Sequence, residues 1–227
     1  MNKKNIIAVI LARGGSKRLK NKNLQKIGKT SLLEITINFA RKLKLIKDIV
    51  LSTDSKKMLD ICKRKKILTP GLRPFKLSKD KTTSEDVVFY LLKWYEKKYK
   101  KKVDGILLLQ PTTPYRDLNV FNISINKFRM NMNKVYVSVS KLNKQISNIY
   151  NIRNNLINRV MKKKYDVKNL YILDGSLYLI SKKNLLKYKT FVPKIFKPII
   201  NKKLKYSIDI DFLEDLNFAR LINDKDF

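Results

Sequence analysis

The sequence contains no histidine, and Cys62 is its single cysteine. The lack of histidine excludes Ser-His-Asp triads, imidazole general bases and histidine-based metal sites. One cysteine cannot form an internal disulfide, and a lone thiol is typical of a reducing compartment. Any chemistry must therefore rest on Asp, Glu, Lys, Arg, Tyr and the backbone.

Long apolar runs are also missing. No segment approaches the ~20 apolar residues that a membrane span requires. The run at residues 6–12 ends at Arg13 rather than at a small-residue cleavage site, unlike a secretion signal. We therefore expect a cytoplasmic protein without membrane insertion. The chain has no internal repeats and no Pro/Gly-rich linker, so we expect one domain over residues 1–227.

Acidic residues are scarce, with 18 Asp and Glu against 52 Lys and Arg and a net charge of +34. Such a charge can indicate a surface for nucleic acid or for anionic membranes. The lysines are spread through every segment, however, together with abundant Asn, Ile and Tyr, a mixture that AT-rich coding produces. We expect no specific nucleic-acid partner, and a basic nucleic-acid-binding α/β protein is the alternative from another functional class.

Short, continuously apolar segments alternate with helical patterns over the first two-thirds of the chain. The apolar segments predict strands at residues 6–12, 48–52, 103–109 and 135–140. Helices are predicted at residues 31–43, after Asp54 and Ser55, and after the capping-box pair Thr83 and Asp86. Continuous apolar strands separated by helices indicate a mostly parallel sheet covered on both faces. We therefore predict an α/β fold with a single, Rossmann-like sheet flanked by helices.

Residues 141–170 have a different character. They are rich in Asn and Lys, show weak periodicity, and are followed by the apolar strand sequence LYILDGSLYLI. We interpret them as a small β-rich excursion from the sheet that is used in dimerisation.

The first predicted strand runs into a basic loop with the sequence ARGGSK at residues 12–17. Gly14 and Gly15 offer unhindered backbone N–H groups, and Ser16 offers a hydroxyl. With its long cations, such a loop can surround a triphosphate. The loop lacks the G-x-G-x-x-G pattern, and GKT at 28–30 lacks the earlier glycine of a Walker A loop. A turn with solvated lysines is the alternative.

The C-terminal stretch SIDIDFLEDL contains two closely spaced carboxylates. In a strand, Asp209 and Asp211 point to one side, while Ile208 and Ile210 point to the other. Two convergent carboxylates suit Mg²⁺, which takes its remaining ligands from water and substrate phosphates. The alternative is a strand-end turn that caps a helix.

Two polar loops complete the candidate site. In LLLQPTTPYR, two prolines stop a strand, and Gln110 and Arg116 supply polar groups at its carboxyl end, where ligands of open α/β sheets bind. In residues 71–86, Arg73, Thr82 and Ser84 could face a ligand. In both loops the alternative is a purely structural turn.

These four stretches, in this order, resemble the acylneuraminate cytidylyltransferase family, which makes CMP-sialic acid and CMP-activated relatives such as legionaminic and pseudaminic acids. The family pattern A-R-x-x-S-K-x-x-x-x-K-N is matched by Ala12, Arg13, Ser16, Lys17, Lys22 and Asn23. Further matches are STD at 52–54, RP..LS.D..TS at 73–84, LQPTTPYR at 109–116, DGSLYLI at 174–180 and SIDID...DL at 207–216. Together they span nearly the whole chain.

The resemblance implies a role for each matched position. The nucleotide CTP is expected to contact Leu11, Ala12, Arg13, Gly14, Gly15, Ser16, Lys17, Lys22, Asn23, Arg73, Thr82 and Ser84. The sugar acid is expected to contact Gln110, Asp174, Tyr178 and Phe191. Mg²⁺ is expected at Asp209 and Asp211, and the catalytic residues are Arg13, Lys22 and Asp211. Arg18 and Lys20 match no requirement of the family, and we expect them to be solvated bystanders.

The implied reaction is nucleotidyl transfer by a homodimeric, Mg²⁺-dependent enzyme. The anomeric hydroxyl of a nonulosonic acid attacks the α-phosphorus of CTP, and pyrophosphate leaves. Without histidine, Asp211 or a metal-bound hydroxide is the candidate base. The chain departs from the family at Lys20 (often proline), at Asp174 (usually asparagine before Gly175) and at residues 163–165 (KKY instead of an Arg-Gln pair). An enzyme acting on 3-deoxy-manno-octulosonate and an inactive nucleotide-binding relative are the remaining alternatives.

Overall fold

The computed structural model describes residues 4–142, 150–153, 156–159 and 170–223. In chain order, the described residues form β1 (Ile6–Leu11), β2 (Lys26–Ile27), β3 (Thr30–Ser31), α1 (Leu32–Arg41), β4 (Asp48–Ser52), α2 (Lys56–Arg64), α3 (Ser84–Tyr99), β5 (Gly105–Leu109), α4 (Leu118–Met130), β6 (Tyr136–Lys141), β7 (Tyr150–Arg153), β8 (Leu156–Arg159), β9 (Tyr171–Ser181), α5 (Lys182–Tyr188), β10 (Lys197–Asn201) and α6 (Leu213–Asn223).

Six of these strands form one sheet in the order β10-β6-β9-β5-β1-β4. Strand β1 pairs in parallel with β4 and β5, and β10 pairs in parallel with β6. Strand β9 runs antiparallel to both of its neighbours, β5 and β6. The prediction of an α/β fold with a mostly parallel sheet is confirmed, and the antiparallel β9 is the exception that the sequence pattern did not reveal.

Helices cover both faces of the sheet because the central strands are apolar on both sides. In β1, Ile6, Ala8 and Ile10 face one core cluster, which the apolar faces of α1, α2 and α4 complete. Ile7 and Val9 face the other cluster, beneath α3 and α5. This two-sided burial is why β1 reads as a continuous apolar run rather than an alternating one. None of the described helices combines the length and apolar character that a bilayer span demands.

Two of the three predicted helix starts have capping boxes, whereas at α2 the N-cap residue Ser55 makes no side-chain capping hydrogen bond. Ser31 and Glu34 form a reciprocal capping box at α1, and Thr83 and Asp86 form another at α3. Such boxes satisfy backbone N–H groups that have no partner in the first turn. Within the predicted excursion at 141–170, β7 and β8 form an antiparallel hairpin. The KKY departure at 163–165 lies outside the described residues, and the role of the excursion in dimerisation stays a prediction.

A third, smaller apolar cluster joins the two ends of the chain. Leu19, from the loop after β1, packs with Ile208 and Ile210 and with α6 residues Leu216 and Ala219. Residues 208–210 are extended but are not part of the sheet. The cluster therefore brings the basic loop next to the SIDID segment.

Gly105 begins β5 directly under the ring of Phe128 on α4. A Cβ added at this position would lie 2.6 Å from Cε1 of Phe128, which is fully buried. Because this core is packed closely, an added methyl group must displace the ring or the strand.

We therefore predict that Gly105→Ala lowers the free energy of unfolding by about 1–3 kcal/mol, as measured by urea denaturation. The matched control is Gly15→Ala, because no atom lies within 4 Å of the Cβ position there. Its effect should stay within about 0.5 kcal/mol. Equal stability of the two variants would contradict the close approach of α4 to β5.

Candidate active site

A cavity of about 550 Å³ opens at the carboxyl edge of the sheet. It lies beside Leu11, the last residue of β1, and Gln110, the first residue after β5. Open α/β sheets bind ligands at this edge, where the loops that follow neighbouring parallel strands meet. The predicted site residues that line the cavity are Leu11, Arg13, Ser16, Lys17, Lys22, Asn23, Arg73, Thr82, Ser84, Gln110 and Asp211.

The basic loop after β1 is held in place by two contacts. The buried side chain of Asn23 donates its Nδ2–H to the carbonyl oxygen of Arg13 at 2.9 Å. The backbone N–H of Gly14 donates to Oδ1 of Asp54 at 2.6 Å. The Gly14 N–H that was predicted to meet a phosphate is thus bound to a carboxylate in this structure. At Gly15, no atom lies within 4 Å of the position of a Cβ, so this part of the loop leaves room for a ligand.

Asp80 pairs with two cations of this loop, Arg13 and Lys17. Its carboxylate lies 3.1 Å from Nη1 of Arg13 and 2.6 Å from Nζ of Lys17. The hydrogen bond and charge of Lys17, followed by those of Arg13, lower the pKa of Asp80. An anionic group therefore already lies where these two cations were predicted to meet phosphates.

Asp211 pairs with two further cations of the loop, Lys22 and Arg18. It lies 2.7 Å from Nζ of Lys22 and 2.8 Å from Nη2 of Arg18. Partial burial raises the pKa of Asp211, but the contacts with Lys22 and Arg18 outweigh it, and the net shift is downward. Arg18 also lies over the ring of Phe212, with 5.0 Å between Cζ and the ring centroid. Arg18 is solvated as expected, with a side chain that is 56% exposed, but it is not a bystander, because it lines the cavity and pairs with Asp211.

Asp209 and Asp211 leave the same side of the extended segment, while Ile208 and Ile210 are buried behind them. Asp209 has an exposed surface, but the surrounding protein atoms partly desolvate its carboxylate and raise its pKa. The hydrogen bond with the Thr112 side chain opposes this rise, and the negative charge of Asp211 adds to it. Among the described residues, no group of three or more His, Cys, Asp or Glu side chains could hold a metal ion. Asp211 lines the cavity and Asp209 lies two residues before it, and such a pair fits Mg²⁺, which needs only one or two carboxylates from the protein.

The helix α3 and Arg73 form the opposite wall. Arg73 is buried and donates from Nε to Oγ of Ser52 at 2.8 Å and from Nη2 to the Ser52 carbonyl at 2.9 Å. Burial lowers the pKa of Arg73, and Asp54 partly opposes this shift. Thr82 and Ser84 flank the N-cap of α3 at the cavity. These three residues therefore lie together, as predicted.

Tyr178 and Phe191 do not line the cavity; they pack edge to face, with ring centroids 6.2 Å apart. Burial, followed by the charges of Asp209, Asp174 and Glu85, raises the pKa of Tyr178 to about 12. The phenol therefore stays protonated at neutral pH and keeps its O–H donor. The influence of Asp209 on this pKa indicates that the predicted sugar residues lie near the carboxylate pair.

Asp174 lies inside the protein rather than on the cavity wall. Ser138 donates to one carboxylate oxygen, and Ser140 and Asn201 donate to the other at 2.8 Å each. The backbone N–H of Ser176 completes the set at 3.1 Å. Neutral donors thus surround both oxygens. The predicted direct contact between Asp174 and a sugar does not fit this geometry.

Asp174 instead anchors a bulge in β9. Val137 of β6 pairs with Tyr178, whereas Val139 pairs with Leu173, so the intervening residues of β9 loop out of the ladder. Gly175 lies on this bulge with a φ of +74°. A Cβ there would lie 3.0 Å from Oε1 of Gln110 and 3.7 Å from Oδ2 of Asp209. The bulge therefore places backbone against two predicted site residues.

Sequence reasoning assigned no role to several residues that shape the site. Asp54 and Asp80 fall within the matched STD and LS.D patterns, but the sequence gives no sign that they contact Gly14 and the loop cations. Glu85 is a further case, because its Oε1 accepts the backbone N–H of Phe191 at 3.0 Å, between positions 106 residues apart. Only the fold brings these groups together.

Comparisons with known proteins agree on one family. The family model described as "Cytidylyltransferase" matches residues 7–194. The CMP-N,N'-diacetyllegionaminic acid synthase of Legionella pneumophila is 31% identical over 214 residues, which cover 91% of this chain and 90% of that protein. The pseudaminic acid cytidylyltransferase of Campylobacter jejuni is 24% identical over 222 residues, which cover 95% of each chain.

A solved structure shows the same architecture. The 4-diphosphocytidyl-2C-methyl-D-erythritol synthase of Anaerococcus prevotii aligns with a TM-score of 0.71 and 18% identity, over 99% of this chain and 100% of that chain. At this level of identity the similarity shows the fold alone.

We predict that Asp80→Asn raises the affinity for CTP, measured by isothermal titration calorimetry, because the triphosphate no longer competes with a carboxylate for Arg13 and Lys17. Since ion pairs of exposed side chains are weak, the expected gain is about two- to fivefold. The control is Asp60→Asn, which removes an exposed carboxylate 4.0 Å from Lys63 on α2 and should leave CTP affinity unchanged. Weaker CTP binding by Asp80→Asn would show that Asp80 assists the nucleotide instead.

Proposed function

This chain belongs to the cytidylyltransferase family, and we propose that it couples CTP to a nonulosonic acid of the sialic, legionaminic or pseudaminic type, giving the CMP-sugar and pyrophosphate. The observation that carries the proposal is the contact between Lys22 and Asp211. It joins the phosphate-type loop to the carboxylate pair across 189 positions of the chain, in one cavity. The resemblance of the motifs to the acylneuraminate cytidylyltransferases is confirmed at the level of the family.

The cationic loop is proposed to bind and orient the triphosphate. Arg13, Lys17 and Lys22 exchange their present carboxylate partners for phosphate oxygens, which carry more charge and accept the same hydrogen bonds. The exchange needs side-chain movement only, because Asn23 and Asp54 fix the loop backbone independently. The loop is thereby ready to stabilise charge on the leaving pyrophosphate.

Asp209 and Asp211 are proposed to hold Mg²⁺. When bound, the ion supplies positive charge to the phosphate oxygens and helps to align the attacking hydroxyl with the α-phosphorus. When Lys22 and Arg18 turn to the phosphates, Asp211 would exchange these two cations for the ion. Asp211 also stays the proposed acceptor of the hydroxyl proton, because the chain has no histidine.

The acid is proposed to bind between Gln110, Tyr178, Phe191 and the β9 bulge. Tyr178 keeps its O–H donor, and Gln110 supplies amide groups, so the wall can bind hydroxyl and acylamino substituents. The names of two relatives, a legionaminic acid synthase and a pseudaminic acid cytidylyltransferase, support a nonulosonic acid as the substrate class.

We predict that wild-type protein releases pyrophosphate from CTP with at least one nonulosonic acid, and only in the presence of Mg²⁺. The measurement is a coupled pyrophosphate assay with a panel of nonulosonic acids and 3-deoxy-manno-octulosonate. Turnover with the octulosonate alone would move the assignment to that substrate. Silence with every acid, while CTP binding persists, would contradict the proposed reaction.

Within the same assay, we predict that Asp211→Asn lowers kcat at least 100-fold while CTP still binds, because general-base contributions are about 10²–10⁴-fold. The control is Asp215→Asn, since the Asp215 side chain caps α6 by accepting the N–H groups of Asp211 and Phe212 at 2.9 and 2.8 Å. An amide oxygen retains this acceptor function, so the effect should be small. Full activity of Asp211→Asn would remove Asp211 from the mechanism.

We also propose that the protein is a homodimer. Tyr171 and Leu173, at the start of β9 next to the excursion at 141–170, are 43% and 45% exposed, and Ile195 is 89% exposed. They line an open, mainly apolar groove between β9 and β10. Exposed apolar patches of this kind mark association surfaces, and a second copy of the chain is the partner that we propose.

Sedimentation velocity tests the proposed dimer, since the chain mass is 26.7 kDa. Wild-type protein is expected to sediment as a species of twice this mass, and the double variant Leu173→Lys/Ile195→Lys as a monomer. Met130→Lys, at an 88% exposed methionine on α4, is the control and should stay dimeric. A monomeric wild-type protein at all concentrations would contradict the proposal.

The cytoplasm is the proposed compartment. Burial of Cys62 raises the pKa of its thiol to about 11, so the single cysteine is a core residue rather than a redox group. A free, buried thiol supports a reducing environment, in line with the sequence-based expectation.

A further inference from the structure

Arg116 lies behind the loop that follows β5, on the side away from the cavity. It is 8% exposed and is absent from the cavity wall, although its position in LLLQPTTPYR had suggested a ligand-facing group. Its Nη2 donates to the carbonyl oxygen of Gln110 at 2.5 Å and to the hydroxyl of Thr113 at 3.0 Å. The guanidinium thus bridges the first and last residues of the turn formed by residues 110–113.

The protein buries this charge without an opposite charge beside it. In the described part of the chain, no carboxylate forms an ion pair with Arg116, and its Nε has no hydrogen-bond partner. The remaining contacts are Oγ1 of Thr36, 3.4 Å from Nη1, and the ring of Phe39, 5.4 Å from Cζ. Burial accordingly lowers the pKa of Arg116 to about 9. An unpaired buried guanidinium is unfavourable for folding, so its hydrogen bonds to the turn indicate another role.

The turn that Arg116 supports connects the two halves of the proposed site. Gln110 leads into the cavity and touches the β9 bulge, where a Cβ on Gly175 would lie 3.0 Å from Oε1 of Gln110. The carbonyl of Thr112 accepts the backbone N–H of Ile210 at 2.8 Å, and the Thr112 side chain hydrogen-bonds Asp209. A shift of this turn must therefore move the acid-binding wall and the carboxylate segment together.

We propose that Arg116 is a positioning residue for the second substrate. By holding the Gln110 carbonyl and the Thr113 hydroxyl, it sets the shape of the turn that aims Gln110 at the acid and Thr112 at the Asp209 segment. The nucleotide loop after β1 has its own supports, Asn23 and Asp54, so it is independent of Arg116. The role deepens the proposed function and rests on it.

The test separates the binding of CTP from the use of the acid. Arg116→Met keeps the length of the side chain but removes every donor, and misplacement by about 1 Å can cost about 100-fold in rate. We expect kcat/KM for the acid to fall about 100-fold, while the calorimetric Kd for CTP, measured without Mg²⁺ so that the carboxylate segment does not contribute, changes less than about twofold. Arg116→Lys keeps the charge and one donor point and should recover part of the loss. In a Gln110→Ala background, the Arg116→Met loss should be smaller, since both changes act on one turn.

The matched control is Asn184→Ala, which removes another buried polar side chain. Nδ2 of Asn184 donates to the carbonyl of Asn133 at 2.8 Å, away from the cavity. It is expected to lower the melting temperature without changing kcat/KM. Wild-type silence with every acid would overturn the proposed function and this role with it. An active wild type with an Arg116→Met variant that behaves like Asn184→Ala, or with equal losses in CTP and acid binding, would overturn the role of Arg116 alone.

Discussion

The packing of Leu19 against Ile208 and Ile210 is the contact on which the candidate site depends. These side chains hold two segments side by side, one carrying Lys22 and the other Asp211. Burial of a large aliphatic side chain contributes about 1.5–3 kcal/mol, whereas a partly exposed ion pair contributes about 0–1 kcal/mol. The apolar contact therefore sets the alignment, and the ion pair can break without loss of the site. A site that exchanges carboxylate partners for phosphates needs an alignment that does not depend on its ion pairs.

The ion pairs around the cavity can likewise change partners while the backbone stays in place. Asp80 pairs with Arg13 and Lys17, and Asp211 pairs with Lys22 and Arg18; the four cations line one cavity. Four cations close together repel one another, and the two carboxylates relieve this repulsion while no triphosphate is bound. Because the loop backbone is held by Asn23 and Asp54, the cations stay in position when their partners change. The positive charge of the chain is thus partly compensated where the proposed chemistry takes place.

The sequence was sufficient for the parts of the fold that follow from local patterns. The two-sided burial of β1 and the capping box at α3 were readable because periodicity and cap residues act over a few positions. The antiparallel β9, its bulge and the buried position of Asp174 were not, because they depend on pairing with β6 and on hydroxyl groups from distant residues. The pairing of Arg18 with Asp211 and the choice between a ligand-facing and a structural Arg116 could not be read from the sequence for the same reason. A cation looks alike in sequence whether it faces a ligand, pairs with Asp211 or supports a turn.

The most direct test of the account is a crystal structure with CTP and Mn²⁺, using the anomalous signal of the metal. The account predicts one manganese peak at Asp209 and Asp211, with the triphosphate along the loop from Arg13 to Lys22 and with Asp80 released. A nucleotide bound elsewhere, or a metal site without either aspartate, would contradict it.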